Sequence, residues 1–167
     1  MRLTVYTDYT LRVMMFLATR HRAGALSRID EIAAAYNISR SHLTKIVHEL
    51  GQSGLVETVR GRSGGMRLSK APSEIKVGDI VRLAEKDFAV VACHDAHSTD
   101  ICTIQPACTL KRALWRAMEA FMRELDALTL EEAITTPAEA AALLGIPAEA
   151  PVALPAKGSG RPLKPRA

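Results

Sequence analysis

All three cysteines of the chain fall between positions 93 and 108, spaced C-x8-C-x5-C in the run Cys93-His94-Asp95-Ala96-His97-Ser98-Thr99-Asp100-Ile101-Cys102-Thr103-Ile104-Gln105-Pro106-Ala107-Cys108. A short polar stretch with three thiols, followed at once by an amphipathic helix, can close round a single ion or cluster without help from distant sequence. Thiolates are soft donors that select zinc, copper(I) or iron–sulfur clusters over magnesium or calcium. The plain alternative is three unrelated cysteines, one or two buried as small apolar residues. A disulfide framework fits an odd count poorly, and no secretory signal opens the chain, so the thiols are expected to be reduced and intracellular. Tetrahedral zinc or a cubane cluster takes four donors, one more than the cysteines supply. Within the stretch His94, His97, Asp95 and Asp100 are candidates, a Cys3His zinc site being the simplest arrangement. A carboxylate from outside, even from a second subunit, is the other source.

The rest of the chain is basic at one end. Residues 1–70 carry 11 Lys and Arg against 5 Asp and Glu, whereas residues 71–132 carry 7 against 11. A basic first half is the footprint of a polyanion partner, most often nucleic acid. With 4% aromatic residues in 167, a core built mainly from Leu, Ile, Val, Met and Ala is expected. No run approaches the roughly 18 apolar residues of a membrane span, so a soluble, cytoplasmic chain without a membrane partner is expected.

Leu11, Met14, Met15, Leu17 and Ala18 fall at helical spacing and predict a helix over Asp8–His21 with Thr7 as its cap. Asp8 then lies in the first turn, where a carboxylate stabilises the helix dipole by roughly 0.3–1 kcal/mol. Ser27-Arg28-Ile29-Asp30 reads as an S-x-x-D cap opening a short helix through Ile29, Ile32, Ala33 and Tyr36. Asn37-Ile38-Ser39 breaks it, and Ser39 caps a second helix to about Leu50. This is a helix-turn-helix, placed at 28–51. Its second helix puts Leu43, Ile46, Val47 and Leu50 on one face and Arg40, Ser41, Thr44, Lys45 and His48 on the other. A basic, hydroxyl-rich face of that kind suits the major groove of double-stranded DNA; an ordinary solvated helix face is the alternative.

Leu55–Val59 alternates as a strand, Met66-Arg67-Leu68 forms a second, and Arg60-Gly61-Arg62-Ser63-Gly64-Gly65 makes the tip between them. Two arginines, Arg60 and Arg62, in a flexible tip after a helix-turn-helix read as a wing, placed at 55–68 and able to enter a minor groove. Neither G-x-x-x-x-G-K-[ST] nor G-x-G-x-x-G is present, so a nucleotide-binding loop is a poor reading. A helix over Lys76–Lys86 should dock on the first helix, although Gly78 weakens it. Residues 1–86 thus form a winged helix-turn-helix domain, and residues 87–108 a ligand loop in which Pro106 imposes non-helical geometry. One long helix is expected over Thr109–Ile134, with Leu110, Leu114, Met118, Phe121, Leu125 and Leu128 in a near-heptad seam that needs a partner. Either a core of the same subunit or a homodimer meets that need, and paired half-sites on an operator favour the dimer. Residues 136–167, with a short helix over Ala138–Leu144 and a Pro-rich end, read as a flexible tail. The fold class is mostly α: a winged helix-turn-helix with a long C-terminal dimerisation helix. No acid/base pair or nucleophile constellation points to an enzyme.

The opening Met1-Arg2-Leu3-Thr4 through Thr7-Asp8-Tyr9, the stretch Ser39–Val47, the wing Val59–Leu68 and Cys102–Leu114 resemble a superfamily of dimeric winged-helix iron–sulfur transcription regulators. Within it, they resemble the nitric-oxide-sensitive repressors. The likeness covers residues 1 to about 135, and the first cysteine interval is longer than is common there. The resemblance implies an iron–sulfur cluster, [4Fe-4S] or [2Fe-2S], bound by Cys93, Cys102 and Cys108 with Asp8 of the partner subunit as a fourth, oxygen ligand. It also implies a homodimeric repressor that senses nitric oxide at the cluster and releases operator DNA on nitrosylation. The related iron–sulfur assembly regulator places a histidine three residues after its last cysteine, where this chain has Lys111. The iron-responsive rhizobial regulator shares the loop but usually lacks an acidic residue where Asp8 stands. An iron-responsive regulator and a zinc-binding interaction module remain the alternatives.

Overall fold

The computed structural model describes residues 2–21, 25–61, 64–95, 98–99 and 102–147. Arg62, His97, Asp100 and the tail beyond 147 lie outside the described residues. The helices are α1 (Val5–His21), α2 (Ile29–Tyr36), α3 (Arg40–Gln52), α4 (Val77–Ala84), α5 (Thr109–Ala127) and α6 (Pro137–Leu143), and the strands are β1 (Val56–Val59) and β2 (Gly65–Leu68). The architecture is the mostly helical winged helix-turn-helix expected from the pattern.

The core forms round α1, against which α2, α3, α4, α6 and β2 all pack. Val13, Met14, Phe16 and Leu17 of α1 meet Ile32 of α2, Leu43, Ile46 and Leu50 of α3, Met66 and Leu68 of β2, and Ile80 of α4, all buried. Aliphatic residues dominate, as the low aromatic content requires, with Phe16 set edge-on to Tyr36. All four apolar positions assigned to the inner face of α3 are buried, and Arg40, Ser41, Thr44, Lys45 and His48 are exposed. Asn37 ends α2 with φ 52°, a left-handed conformation that Asn tolerates, and this produces the tight break between the two helices. β1 and β2 pair antiparallel from Val56↔Leu68 to Val59↔Gly65.

Two helix starts differ from the sequence expectation. α1 begins at Val5, so Thr7 is not its cap but a fully buried residue inside the first turn. Its hydroxyl donates to the Glu85 carboxylate at 2.7 Å, and the same carboxylate accepts the Thr4 N–H at 2.9 Å and the Thr4 hydroxyl at 3.1 Å. α2 is capped at Arg28 rather than Ser27, with Glu31 returning to the Arg28 N–H at 2.6 Å. Ser27 is committed elsewhere: its backbone exchanges two 2.8 Å hydrogen bonds with Met66, extending the wing by one bridge. Gly65 is required there by proximity, since a Cβ would lie 2.7 Å from the Ser27 carbonyl oxygen.

α5 ends at Ala127, seven residues short of the expected Ile134. The chain then turns back: Leu128 accepts from Val77 N–H at 3.0 Å, and Leu130 donates to the Ile75 carbonyl at 2.8 Å, which drives Leu130 fully into the core. Thr129 holds that turn by donating N–H and hydroxyl to Glu132 at 2.8 and 2.7 Å. The short helix expected over Ala138–Leu144 is present as α6, which lies on α1 with Leu144 and Ile146 against the core, so this part of the stretch read as a flexible tail is packed. Gly78, which weakened the expectation for α4, lets α5 approach closely: a Cβ there would displace the Asp126 carboxylate from its ion pair with Arg82.

Glu85 ties α1 to the end of α4. Burial opposes its charge, but the donated hydrogen bonds from Thr4 and Thr7 outweigh that and hold its carboxyl below the ordinary glutamate range. A lowered folded-state pKa stabilises the fold above the unfolded value, near pH 4.3, and the contribution is lost as pH falls through the lower folded value. Glu85→Ala should therefore cost about 2–3 kcal/mol at neutral pH. Urea unfolding of both forms checks this: the gap should narrow in acid, and a gap independent of pH would contradict the assignment.

Candidate DNA-reading face and cysteine site

The exposed side of α3 and the adjoining wing carry the residues assigned to DNA. In the free chain several are already engaged. Arg40 pairs with Asp30 of α2 at 2.8 Å, and the Thr44 hydroxyl donates to the Arg40 carbonyl at 2.8 Å. The Lys45 ammonium lies 5.6 Å from the centre of the Tyr6 ring, within cation–π range. Ser41 is linked to Ser39 at 3.2 Å, and His48 and Arg60 are exposed. On the wing Arg67 pairs across the strands with Glu57 at 2.9 Å. Apart from Arg62, which lies outside the described residues, the assigned residues lie on α3 and the adjoining strand end.

The cysteines are free and come from three local turns. Cys93 sits in a 3-10 turn, Ala92–His94. Cys102 begins a pair of tight turns in which Gln105 N–H donates to the Cys102 carbonyl at 3.0 Å and Cys108 N–H to the Gln105 carbonyl at 3.2 Å. Contrary to expectation, Pro106 does not impose non-helical geometry but occupies a 3-10 turn, Gln105–Ala107, because an early position in a helical turn tolerates a missing N–H. Cys108 is the residue on which α5 starts. All three cysteines line one cavity of about 350 Å³, whose other walls are largely apolar and include Ile104, Leu110 and Leu114. On the outer side, Lys111 and Arg112 flank Cys102 and Cys108. The loop is anchored to α5 by His94, whose Nε2 is 3.0 Å from the Lys111 carbonyl and whose ring meets Trp115 edge-on. Among the described residues no three His, Cys, Asp or Glu side chains are close enough to hold a single metal ion.

Asp8 stands in the first turn of α1, half exposed, and does not line the cysteine cavity of its own chain. Its carboxylate accepts from Arg12 Nε at 3.0 Å, and the Arg12 guanidinium rests 5.6 Å from the Tyr36 ring centre. The apolar side of α5 is poorly covered: none of its residues is buried, Leu110 is 62% exposed and Trp115 54% exposed. Sequence reasoning missed Tyr6, Glu49 and Glu85, whose partners are 43 to 81 residues away and carry no local signature.

A family model, Rrf2, described as an iron-dependent transcriptional regulator, matches residues 3–136. The chain belongs to the Rrf2 family. This Rrf2 chain is 48% identical over 134 residues to the HTH-type transcriptional regulator NsrR of Bacillus subtilis (strain 168), covering 80% of this chain and 90% of that protein. It is 44% identical over 144 residues to NsrR of Halalkalibacterium halodurans, covering 86% and 97%. Among solved structures it resembles CymR (YrzC), the global cysteine regulator of B. subtilis, with a TM-score of 0.63 at 30% identity over 80% of this chain and 95% of that one. T. potens IscR superposes with a TM-score of 0.63 at 26% identity, covering 84% and 90%. The Rrf2 chain is accordingly a DNA-binding transcriptional regulator that groups with NsrR. No described helix is long and apolar enough to cross a membrane.

Proposed function

We propose that this Rrf2 chain is a homodimeric repressor that carries an iron–sulfur cluster, [4Fe-4S] in preference to [2Fe-2S], and releases its operator in response to nitric oxide. The observation that carries the reading is the convergence of all three thiols of the chain on one largely apolar cavity. Soft donors arranged round a cavity, rather than drawn within bonding distance of one point, fit a multi-atom cluster better than a single ion. When bound, the cluster supplies iron that reacts with nitric oxide.

The chain's own residues then have distinct tasks. Cys93, Cys102 and Cys108 would hold the cluster, with Lys111 and Arg112 beside Cys102 and Cys108. Asp8 of the partner subunit supplies the fourth donor. A carboxylate is a harder ligand than a thiolate and holds that corner less firmly, leaving it open to exchange. The partly uncovered apolar side of α5 supports the dimer, which would set the spacing of two copies of α3 in successive major grooves, with Arg60 and Arg62 at the minor groove. Metal analysis of anaerobically prepared protein tests the assignment: iron and acid-labile sulfide should be present in equal numbers, four of each per chain for [4Fe-4S] and two for [2Fe-2S]. Zinc without sulfide would replace it by the interaction module, for which the Lys111 carbonyl already occupies Nε2 of His94.

A second reading, iron supply as the signal, is favoured by the description of the family as iron-dependent. Chelation that frees DNA while nitric oxide has no effect would select it. In either case Arg40, Ser41, Thr44, Lys45 and His48 face the DNA. Lys45→Ala should weaken operator binding by roughly 1–3 kcal/mol if Lys45 reads a base, or reduce the salt slope by about one if it meets a phosphate. A salt titration in which neither changes would remove Lys45 from the interface.

A further inference from the structure

The first turn of α1, with Thr4 just before it, touches both the end of α4 and α3. Thr4 and Thr7 hold Glu85, which ends α4 just ahead of the segment leading to Cys93. On another side of the same turn, Tyr6 donates its phenol O–H to Glu49 of α3 at 2.6 Å, while its ring lies beneath the Lys45 ammonium. Glu49 and Lys45 are one helical turn apart on α3, and Asp8 follows Tyr6 by two positions.

We propose that Tyr6 is a positioning residue that couples the state of the cysteine site to α3, through its hydrogen bond to Glu49 and its ring beneath Lys45. The proposal rests on the reading above, in which Asp8 of the partner subunit completes the cluster site. A carboxylate drawn onto that site fixes the turn of α1 on which Tyr6 stands. Tyr6 passes that constraint to α3 at two points: a charge-assisted hydrogen bond, stronger than a neutral one, and a contact that restricts the long Lys45 side chain. Release of Asp8 frees the turn and slackens this tie, leaving α3 held by its buried face of Leu43, Ile46, Val47 and Leu50 and by the Arg40–Asp30 ion pair. The two states of the site thus differ in how firmly the DNA-facing side of α3 is set, which is the differential contact that coupling requires.

Full-length Tyr6→Phe, Glu49→Gln and the double variant test this, using a duplex selected by the wild-type protein from a random-sequence pool. Affinity for that duplex is measured with the cluster-loaded and the cluster-stripped form of each protein. Tyr6→Phe keeps the ring and should keep the wild-type visible absorbance. The ratio of loaded to stripped affinity should fall about three- to ten-fold, and the two single changes should not add, because they remove the same contact. Should Tyr6→Phe fail to fold, Glu49→Gln reads the same loss on its own. A wild-type ratio above one that survives these changes, or effects that add in full, would overturn the proposal and leave the sensing function standing. A wild-type ratio of one would overturn both.

Discussion

Alanine at Cys93, Cys102 or Cys108, introduced singly, should give colourless protein lacking iron and sulfide, with regulation lost. Each position removes one of only three thiolates, and no other cysteine exists in the chain to replace it. The fold should survive, because none of the three belongs to the buried core and surface changes outside it usually alter stability by no more than about 0.5 kcal/mol. Visible absorption together with thermal unfolding of the apo-proteins separates the two effects. Wild-type absorbance in any one variant would remove that cysteine from the site.

The second large effect is expected on α5. Leu114→Arg places a charge in the proposed seam, and burying an unpaired charge at an interface costs about 3–5 kcal/mol. Leu114 also borders the cysteine cavity, so the comparison is made between cluster-free proteins. Sedimentation should show a dimer for the wild type and a monomer for the variant at the same concentration, with operator affinity reduced by about a hundred-fold or more because two linked half-sites no longer act together. A variant that remained dimeric would move the interface off this face.

What could be read from the residues was what they dictate locally. The inner face of α3, the break at Asn37, and the paired strands of the wing follow from period and turn chemistry within a few positions, and the structure has them where expected. The cysteine stretch was legible for the same reason, since its turns are closed by its own backbone. The errors share one cause. Thr7 beside Asp8 has the look of a helix cap, yet its hydroxyl belongs to Glu85, 78 positions away. Ser27 has the spacing of a cap, but Met66 claims its backbone. Leu128 continues the seam of α5, whereas the bridge between Lys76 and Thr129 folds the chain back and sends Leu130 into the core. Leu144 and Ile146, in the stretch read as a flexible tail, dock on the core beside Ile134. In each case a distant partner overrode a correct local preference. The proposed role of Asp8 was legible only by resemblance, since within its own chain its carboxylate pairs with Arg12 and does not line the cysteine cavity.

The central claim is that chemistry at the cysteine site controls the grip on DNA. Operator affinity of anaerobically purified protein, measured before and after stoichiometric nitric oxide on the same sample, tests it directly. Tight binding that collapses on addition is the predicted result, whereas equal affinities with the cluster demonstrably altered would contradict it.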